Sequence, residues 1–157
     1  MEIRSIVPGD RPLLEAMLAA SFRPEEVIVA LELIDHALEG SDDYWVRVGA
    51  DVPGVPKGIA GYICFGPTPM TDATYDLYWI VTHPRARGRG VASALITSME
   101  NELRERAATG IRVETSETEN HDAARRLYAR LDYPVAAHLA DFYRAGDGLI
   151  LYYKRLL

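Results

Sequence analysis

Polar and apolar residues alternate from Glu2 to Val7, the period of a half-buried strand. Pro8-Gly9-Asp10 ends that run, and Asp10 stands where it can cap a helix carrying Pro12 in its first turn. Leu13, Leu14, Met17 and Leu18 then recur at helical spacing. A second helix is predicted from about Pro24 to Leu38, with Val27, Leu31, Ile34 and Leu38 on one face and Gly40 as its stop. Tyr44 to Ala50 and Lys57 to Phe65 read as two strands of a hairpin joined by the turn Val52-Pro53-Gly54-Val55-Pro56. Gly66-Pro67-Thr68-Pro69 breaks the second strand. Thr74 to Thr82 is the clearest strand, rich in aromatic and β-branched residues. Strict alternation puts its Asp76, Tyr78, Ile80 and Thr82 on one face. Gly90 to Ala107 is the clearest helix, since Val91, Leu95, Met99 and Leu103 form a stripe that Ile96 widens. A strand at Ile111–Thr115, a helix at His121–Leu131 and strands near Val135–Phe142 and Leu149–Lys154 complete the chain.

The order is β-α-α-β-β-β-α-β-α-β-β. Its middle β-α-β-α requires parallel pairing through right-handed crossovers, whereas the flanks read as antiparallel, so the expected fold is α/β with a mixed sheet. At 157 residues the chain is expected to be one domain, residues 1–157, able to bury a core without disulfides or metals. No run is apolar enough to span a bilayer, and Met1-Glu2-Ile3-Arg4 is not the start of a signal peptide, so a cytoplasmic protein without a membrane partner is expected. The single cysteine, Cys64, fits a reducing compartment and reads as a packed small hydrophobe. A formal net charge of −6 argues against nucleic-acid binding. The sequence leaves a homodimer open.

The chemistry concentrates where the clearest strand meets the clearest helix. The connecting residues, His83-Pro84-Arg85-Ala86-Arg87-Gly88-Arg89-Gly90, are basic and carry two glycines one residue apart. The first turn of a helix has N–H groups without intrahelical partners, and the helix dipole adds partial positive charge. Glycine lets a backbone approach a diphosphate closely. The loop is therefore an anion site suited to a phosphate or pyrophosphate. Gly88-x-Gly90-x-x-Ser93 approximates a dinucleotide fingerprint, with Glu114 somewhat over 20 residues further on. Against that reading, the third glycine is serine, and only about forty residues come after Glu114, too few to complete a doubly wound sheet with a substrate domain. A P-loop would need Gly-Lys-Ser/Thr, which is absent. His36, His83, His121 and His138 have no metal-ligand spacing with Cys64, so no metal is expected.

Arg85-x-x-Gly88-x-Gly90 resembles the Gln/Arg-x-x-Gly-x-Gly/Ala signature of the GNAT acetyltransferase superfamily, preceded as usual by a hydrophobic strand and His83-Pro84. Downstream, Ala124-Arg125-Arg126-Leu127-Tyr128-Ala129-Arg130-Leu131-Asp132-Tyr133 is similar to that family's Ala-x-x-Phe/Leu-Tyr-x-x-x-Gly-Phe/Tyr segment. The resemblance implies a mostly antiparallel mixed sheet with a central, splayed parallel strand pair and about four helices. It implies acetyl-CoA as acetyl donor, with no metal, and direct transfer to a primary amine of a small molecule or a protein. Ile80, Val81 and Thr82 would contact the pantetheine arm, and Arg87, Gly88, Arg89, Gly90, Val91 and Ala92 the pyrophosphate. The family often has asparagine seven residues before its tyrosine. Here His121 stands there with Asn120 beside it, and both are candidates for the pantetheine. The family's glycine before the last aromatic is Asp132, which tolerates a left-handed turn, and Pro134 stiffens the chain just beyond it.

The resemblance makes Tyr128 the expected proton donor to the departing thiolate, besides a contact to the cofactor, and a tyrosine hydroxyl near the sulfur suits that task. Asp76 and Glu114 are the candidates for general base, with His83 a lesser one. Arg125, Arg126 and Arg130 could reach the nucleotide phosphates, although a solvated helix face is the simpler reading. Acceptor groups are expected from Ser21–Leu38 and Asp141–Gly148, where Glu25, Glu26, Asp141 and Tyr143 could hold a cationic amine. The alternatives are a non-catalytic acyl-CoA-binding regulatory module and a nucleotide-binding protein using the same loop.

Overall fold

The computed structural model describes residues 1–55 and 58–156. Its strands are β1 (Glu2–Ser5), β2 (Trp45–Ala50), β3 (Gly61–Pro67), β4 (Thr74–Thr82), β5 (Gly110–Ser116), β6 (Val135–Arg144) and β7 (Asp147–Arg155). Its α-helices are α1 (Arg11–Ala19), α2 (Pro24–Leu38), α3 (Val91–Glu105) and α4 (Asp122–Arg130). Among the described residues the strands form one sheet in the order β1-β2-β3-β4-β5-β7-β6. Every neighbouring pair is antiparallel except β4 and β5, which are parallel. The predicted order of elements is the observed one. The start predicted at Lys57, and the Pro56 end of the preceding turn, lie outside the described residues, and β3 begins at Gly61.

The sheet is covered on both sides. Leu14, Met17 and Leu18 of α1 and Ala30 and Ile34 of α2 pack against Val46, Val48, Tyr62 and Cys64. On the other face, Leu95, Ile96, Met99 and Leu103 of α3 join Leu127 and Tyr128 of α4 over Ile63, Phe65, Leu77, Ile111 and Val113. This explains the unbroken apolar run Tyr62-Ile63-Cys64-Phe65, since a strand buried on both faces has no polar side to show.

Asp10 acts differently from its predicted cap of α1. Its carboxylate accepts the Val7 N–H at 2.9 Å, closing the 3-10 turn Pro8–Asp10, and it pairs with Arg4 through both oxygens at 2.8 and 3.0 Å. The Arg4 guanidinium holds the Asp10 carboxyl below its usual range.

The alternation predicted for β4 also fails. Cys64 faces Trp79, but the next β3 residue, Phe65, faces Leu77, so Tyr78 is an extra residue on β4. This β-bulge exchanges the faces beyond it. Tyr78, Trp79 and Val81 pack toward α1 and α2, while Leu77 and Ile80 pack toward α3 and α4. Asp76 and Tyr78 therefore do not share a face with Ile80.

Gly61 sets how closely α3 approaches the sheet beside this bulge. A Cβ there would lie 2.6 Å from the Val81 carbonyl oxygen and 3.1 Å from a Val91 methyl. Gly61→Ala is expected to lower stability by about 1–3 kcal/mol, the usual penalty for overpacking, as a reduced urea midpoint with unchanged slope. An unchanged midpoint would show that α3 does not need this close approach.

Candidate active site

β4 and β5 pair only through Thr74–Leu77 and Gly110–Val113. Beyond that, β4 remains bonded to β3 and β5 to β7, so the two parallel strands diverge. Between them opens a cleft of about 1300 Å³, lined on one side by Asp76–Thr82 and on the other by Glu114, Thr115 and Ser116. One edge of the β4 backbone from Tyr78 to Thr82 thus has no strand partner and faces the cleft.

At the mouth of the fork β4 runs into the basic loop. Gly88 and Gly90 take left-handed φ values of 73° and 77°, and a Cβ at either would point into open space. Gly90 is the N-cap of α3 and offers no side chain to its first turn. Gly88, Gly90, Val91, Ala92 and Ser93 line the cleft. Arg87 lines it too and donates to the Ser21 hydroxyl at 3.4 Å, whereas Arg89 is turned away to the Pro53 carbonyl at 2.9 Å. His83 lies outside this cleft. Its Nδ1 accepts the Arg85 N–H at 3.1 Å and its backbone N–H donates to the Ala60 carbonyl at 2.7 Å, so it shapes the loop.

Tyr128 sits in the fork, 4% exposed, with its ring 5.1 Å from that of Tyr152 and 5.8 Å from that of Tyr133. Its hydroxyl has no hydrogen-bond partner among the described residues. Burial pushes its phenol well above the usual tyrosine range, so the hydroxyl keeps its proton at neutral pH. The turn after α4 anchors it. Asp132 adopts the left-handed φ of 61° that the sequence anticipated, and the Tyr133 N–H donates to the Tyr128 carbonyl at 2.9 Å. The Tyr133 hydroxyl in turn donates to buried Glu100, which also accepts Lys154, both at 2.9 Å.

The two carboxylates differ. Asp76 is buried where the strands part, and Arg112, its neighbour across the parallel pair, grips it through Nε at 2.6 Å and Nη2 at 3.1 Å. Both Asp76 oxygens are thereby occupied. Glu114 is exposed in the cleft wall and makes no ion pair among the described residues. Of the acceptor candidates, Glu26 and Tyr143 line the cleft, with Glu26 paired to Arg23 at 2.7 Å. Glu25 pairs with Arg23 outside it, and Asp141 accepts the Gly146 N–H to close the β6–β7 turn.

Asn120 and His121 both line the cleft. The sequence reading missed the polar wall beside them. Ser116, Thr118, Arg144 and Asp147 join Glu26 and His121 there, and Arg125 donates to the Ser116 and Thr118 carbonyls at 2.8 Å each. Arg125 therefore braces the wall, Arg126 pairs with Asp122 at the surface, and Arg130 lines the cleft. The expected acceptor segment Asp141–Gly148 contains Arg144 and Asp147 of this wall without singling either out, and Asp147 between Gly146 and Gly148 reads as an ordinary turn residue. Among the described residues no cluster suited to a metal ion occurs.

The model of the Acetyltransferase (GNAT) family matches residues 12–133. The chain is similar to the crystal structure of a GNAT-family protein from Desulfovibrio desulfuricans, at 34% identity over 99% of both chains with a TM-score of 0.91. It shares its fold with an aminoglycoside 6'-N-acetyltransferase complexed with coenzyme A (14% identity, 100% of this chain and 98% of that one, TM-score 0.77). The same holds for YncA of Salmonella typhimurium with its cofactor acetyl-CoA (20% identity, 100% and 94%, TM-score 0.76). No curated protein matches the chain in sequence.

Arg112→Met would leave the Asp76 carboxylate buried without its cation. Because the Arg112 side chain is 40% exposed, the expected loss is about 2 kcal/mol, below the ~3–5 kcal/mol typical when a fully buried pair is broken. Chemical denaturation measures it. A change below about 0.5 kcal/mol would mean that solvent already screens the pair.

Proposed function

The chain belongs to the GNAT acetyltransferase family, and from that premise we propose that it transfers acetyl from acetyl-CoA directly to a primary amine. The observation that carries this reading is the continuity of one anion-binding and hydrogen-bonding track. The unpartnered edge of β4 runs without interruption into a loop of left-handed glycines and the open first turn of α3. A linear ligand with amides in one half and a diphosphate in the other suits such a track. The strand edge offers N–H and C=O groups to amides, and the helix N-terminus offers N–H groups and positive potential to phosphate oxygens.

Ile80, Val81 and Thr82 would hold the pantetheine through their backbone, and Gly88, Gly90, Val91 and Ala92 the pyrophosphate, with Arg87 adding charge. Arg89 could join them only by leaving the Pro53 carbonyl. When bound, acetyl-CoA supplies the acetyl group as an activated thioester. Tyr128, kept as the phenol by burial, is the group that can give a proton to a departing thiolate in the fork. Asp76, clamped by Arg112, holds negative charge at the root of the fork. Glu114, exposed in the opposite wall, is free to attract a cationic amine. Glu26, Tyr143 and Asp147 frame the remaining acceptor side, which can take a small molecule or an amine presented by a protein.

No described helix is long and apolar enough to cross a membrane. A cytoplasmic location belongs to this reading, as does the absence of a nucleic-acid partner, which the chain's acidic charge favours.

Calorimetric titration tests the donor. Saturable micromolar binding of acetyl-CoA, without a response to NAD or ATP, is the expected result, and no heat from folded protein would overturn the reading. Tyr128→Phe should retain acetyl-CoA binding while lowering kcat by about 100-fold in an assay of CoA release over a panel of amines. Turnover equal to wild type would remove Tyr128 from proton transfer. Binding without turnover in the wild type would favour the non-catalytic module instead.

A further inference from the structure

The polar wall of the cleft contains a hydrogen-bonded chain whose direction can be deduced. Arg144 donates to Asp147 Oδ2 at 2.7 Å. Ser116 Oγ bonds the other oxygen of Asp147, Thr118 Oγ1 lies 2.8 Å from Ser116 Oγ, and His121 Nδ1 lies 3.3 Å from Thr118 Oγ1. Asp147 and Ser116 are both buried. Asp147, Ser116, Thr118 and His121 all line the cleft.

An ionised carboxylate only accepts, so Ser116 must spend its one proton on Asp147. Toward Thr118, Ser116 is then an acceptor, and the Thr118 hydroxyl must donate to it. Thr118 has no proton left for His121, so His121 must donate from Nδ1. In a neutral imidazole that leaves Nε2 bare. The chain thus fixes one tautomer of one histidine, as a carboxylate does in a catalytic triad, but through two hydroxyls instead of by direct contact.

We propose that His121 is the general base of the acetyl transfer, its bare Nε2 taking the proton of the acceptor ammonium, and that Ser116, Thr118 and Asp147 are positioning residues that hold it in that tautomer. The assignment rests on the acetyl-transfer function proposed for this cleft. It gives His121 a different task from the pantetheine contact that the family resemblance implied for this place.

The surroundings agree. Burial, joined by the nearby Arg125 and Arg23 and opposed by Glu26 and Asp147, holds the His121 imidazole below its usual range, so at pH 7 it is neutral and able to accept. His121, the N-cap residue of α4, and Tyr128, inside that helix, both line the cleft. Base and acid therefore look into the same fork. Arg112 engages both oxygens of Asp76, and Glu114 makes no ion pair among the described residues to orient it.

The step balances. One ammonium proton passes to His121 Nε2. The freed nitrogen forms its bond to the acetyl carbon while the carbon–sulfur bond breaks. The thiolate takes the Tyr128 proton, the second nitrogen proton returns to Tyr128 through solvent, and His121 releases its proton to water. Ammonium and acetyl-CoA become amide, CoA thiol and one proton.

Long-range 1H–15N correlation spectra of the 15N-labelled full chain read the tautomer without any substrate. The His121 signal is identified by its loss in His121→Asn. At pH 7 it should be neutral and protonated at Nδ1, and Thr118→Val should move it to the commoner Nε2–H form. A wild-type Nε2–H tautomer, or a His121 already cationic at pH 7, would overturn the proposal. In kinetics, His121→Asn should keep acetyl-CoA affinity within about twofold and lower kcat/KM about 100-fold, abolishing the rise of kcat/KM through the imidazole titration. Unchanged turnover, or lost acetyl-CoA affinity with unchanged kcat, would equally overturn it. Failure of the wild type to bind acetyl-CoA would refute the acetyl-transfer function while the spectra still judged the hydrogen-bonded chain.

Discussion

Parallel strands stay together only while their backbone ladders remain in register, and here β4 and β5 remain so for four residue pairs, Thr74–Gly110 to Leu77–Val113. The whole cleft depends on that short pairing. β4 cannot continue beside β5 because the Tyr78 bulge bends and twists it, while its hydrogen bonds to β3 pull it along a different course. β5 is held as firmly by β7. Two strands secured on their outer sides and released on their inner sides leave a wedge in the middle of a buried sheet. Backbone groups left without partners inside a protein are costly unless water or a ligand meets them, so a wedge of this kind offers its strand edge to either.

Charge is distributed along the wedge to match two different ends. The glycine loop and the first turn of α3 present N–H groups with no carboxylate among them, which suits an anion. The opposite end holds Asp76, Glu114, Asp147 and Glu26, three of which already have arginine partners. Those pairs organise the wall more than they attract ligands, because a paired carboxylate has little field left to offer. Glu114 and the His121 chain are the groups there with unspent capacity. Tyr128 lies between the two ends, and its position depends on the Asp132 turn and on the Tyr133–Glu100–Lys154 cluster beneath it.

Most of the element order was legible because its signals are local. Apolar stripes wrote out α2 and α3, and the β-branched run wrote out β4. The two-motif spacing from Asp76 to Tyr133 pointed to the family before any geometry was available. What could not be read depends on neighbours distant in sequence. The Tyr78 bulge arises from pairing with β3, and it alone reverses the faces expected for Ile80 and Thr82. Asp10 turns to Arg4 instead of capping α1, a choice between two partners that spacing does not decide. Arg112 occupies Asp76 only because the parallel register sets them side by side. Ser116, Thr118 and His121 stand within six residues on the connection from β5 to α4, but only the pairing of β5 with β7 brings Asp147 to them.

The most direct test of the fork as donor site is amide hydrogen exchange of the full protein with and without acetyl-CoA. The expected result is slowed exchange confined to amides along the free edge of β4 from Tyr78 to Thr82 and at Gly88 to Ser93, because these are the groups a ligand in the fork would bond. Slowed exchange elsewhere with both segments unchanged would contradict it, since the fork would then not be where the donor binds.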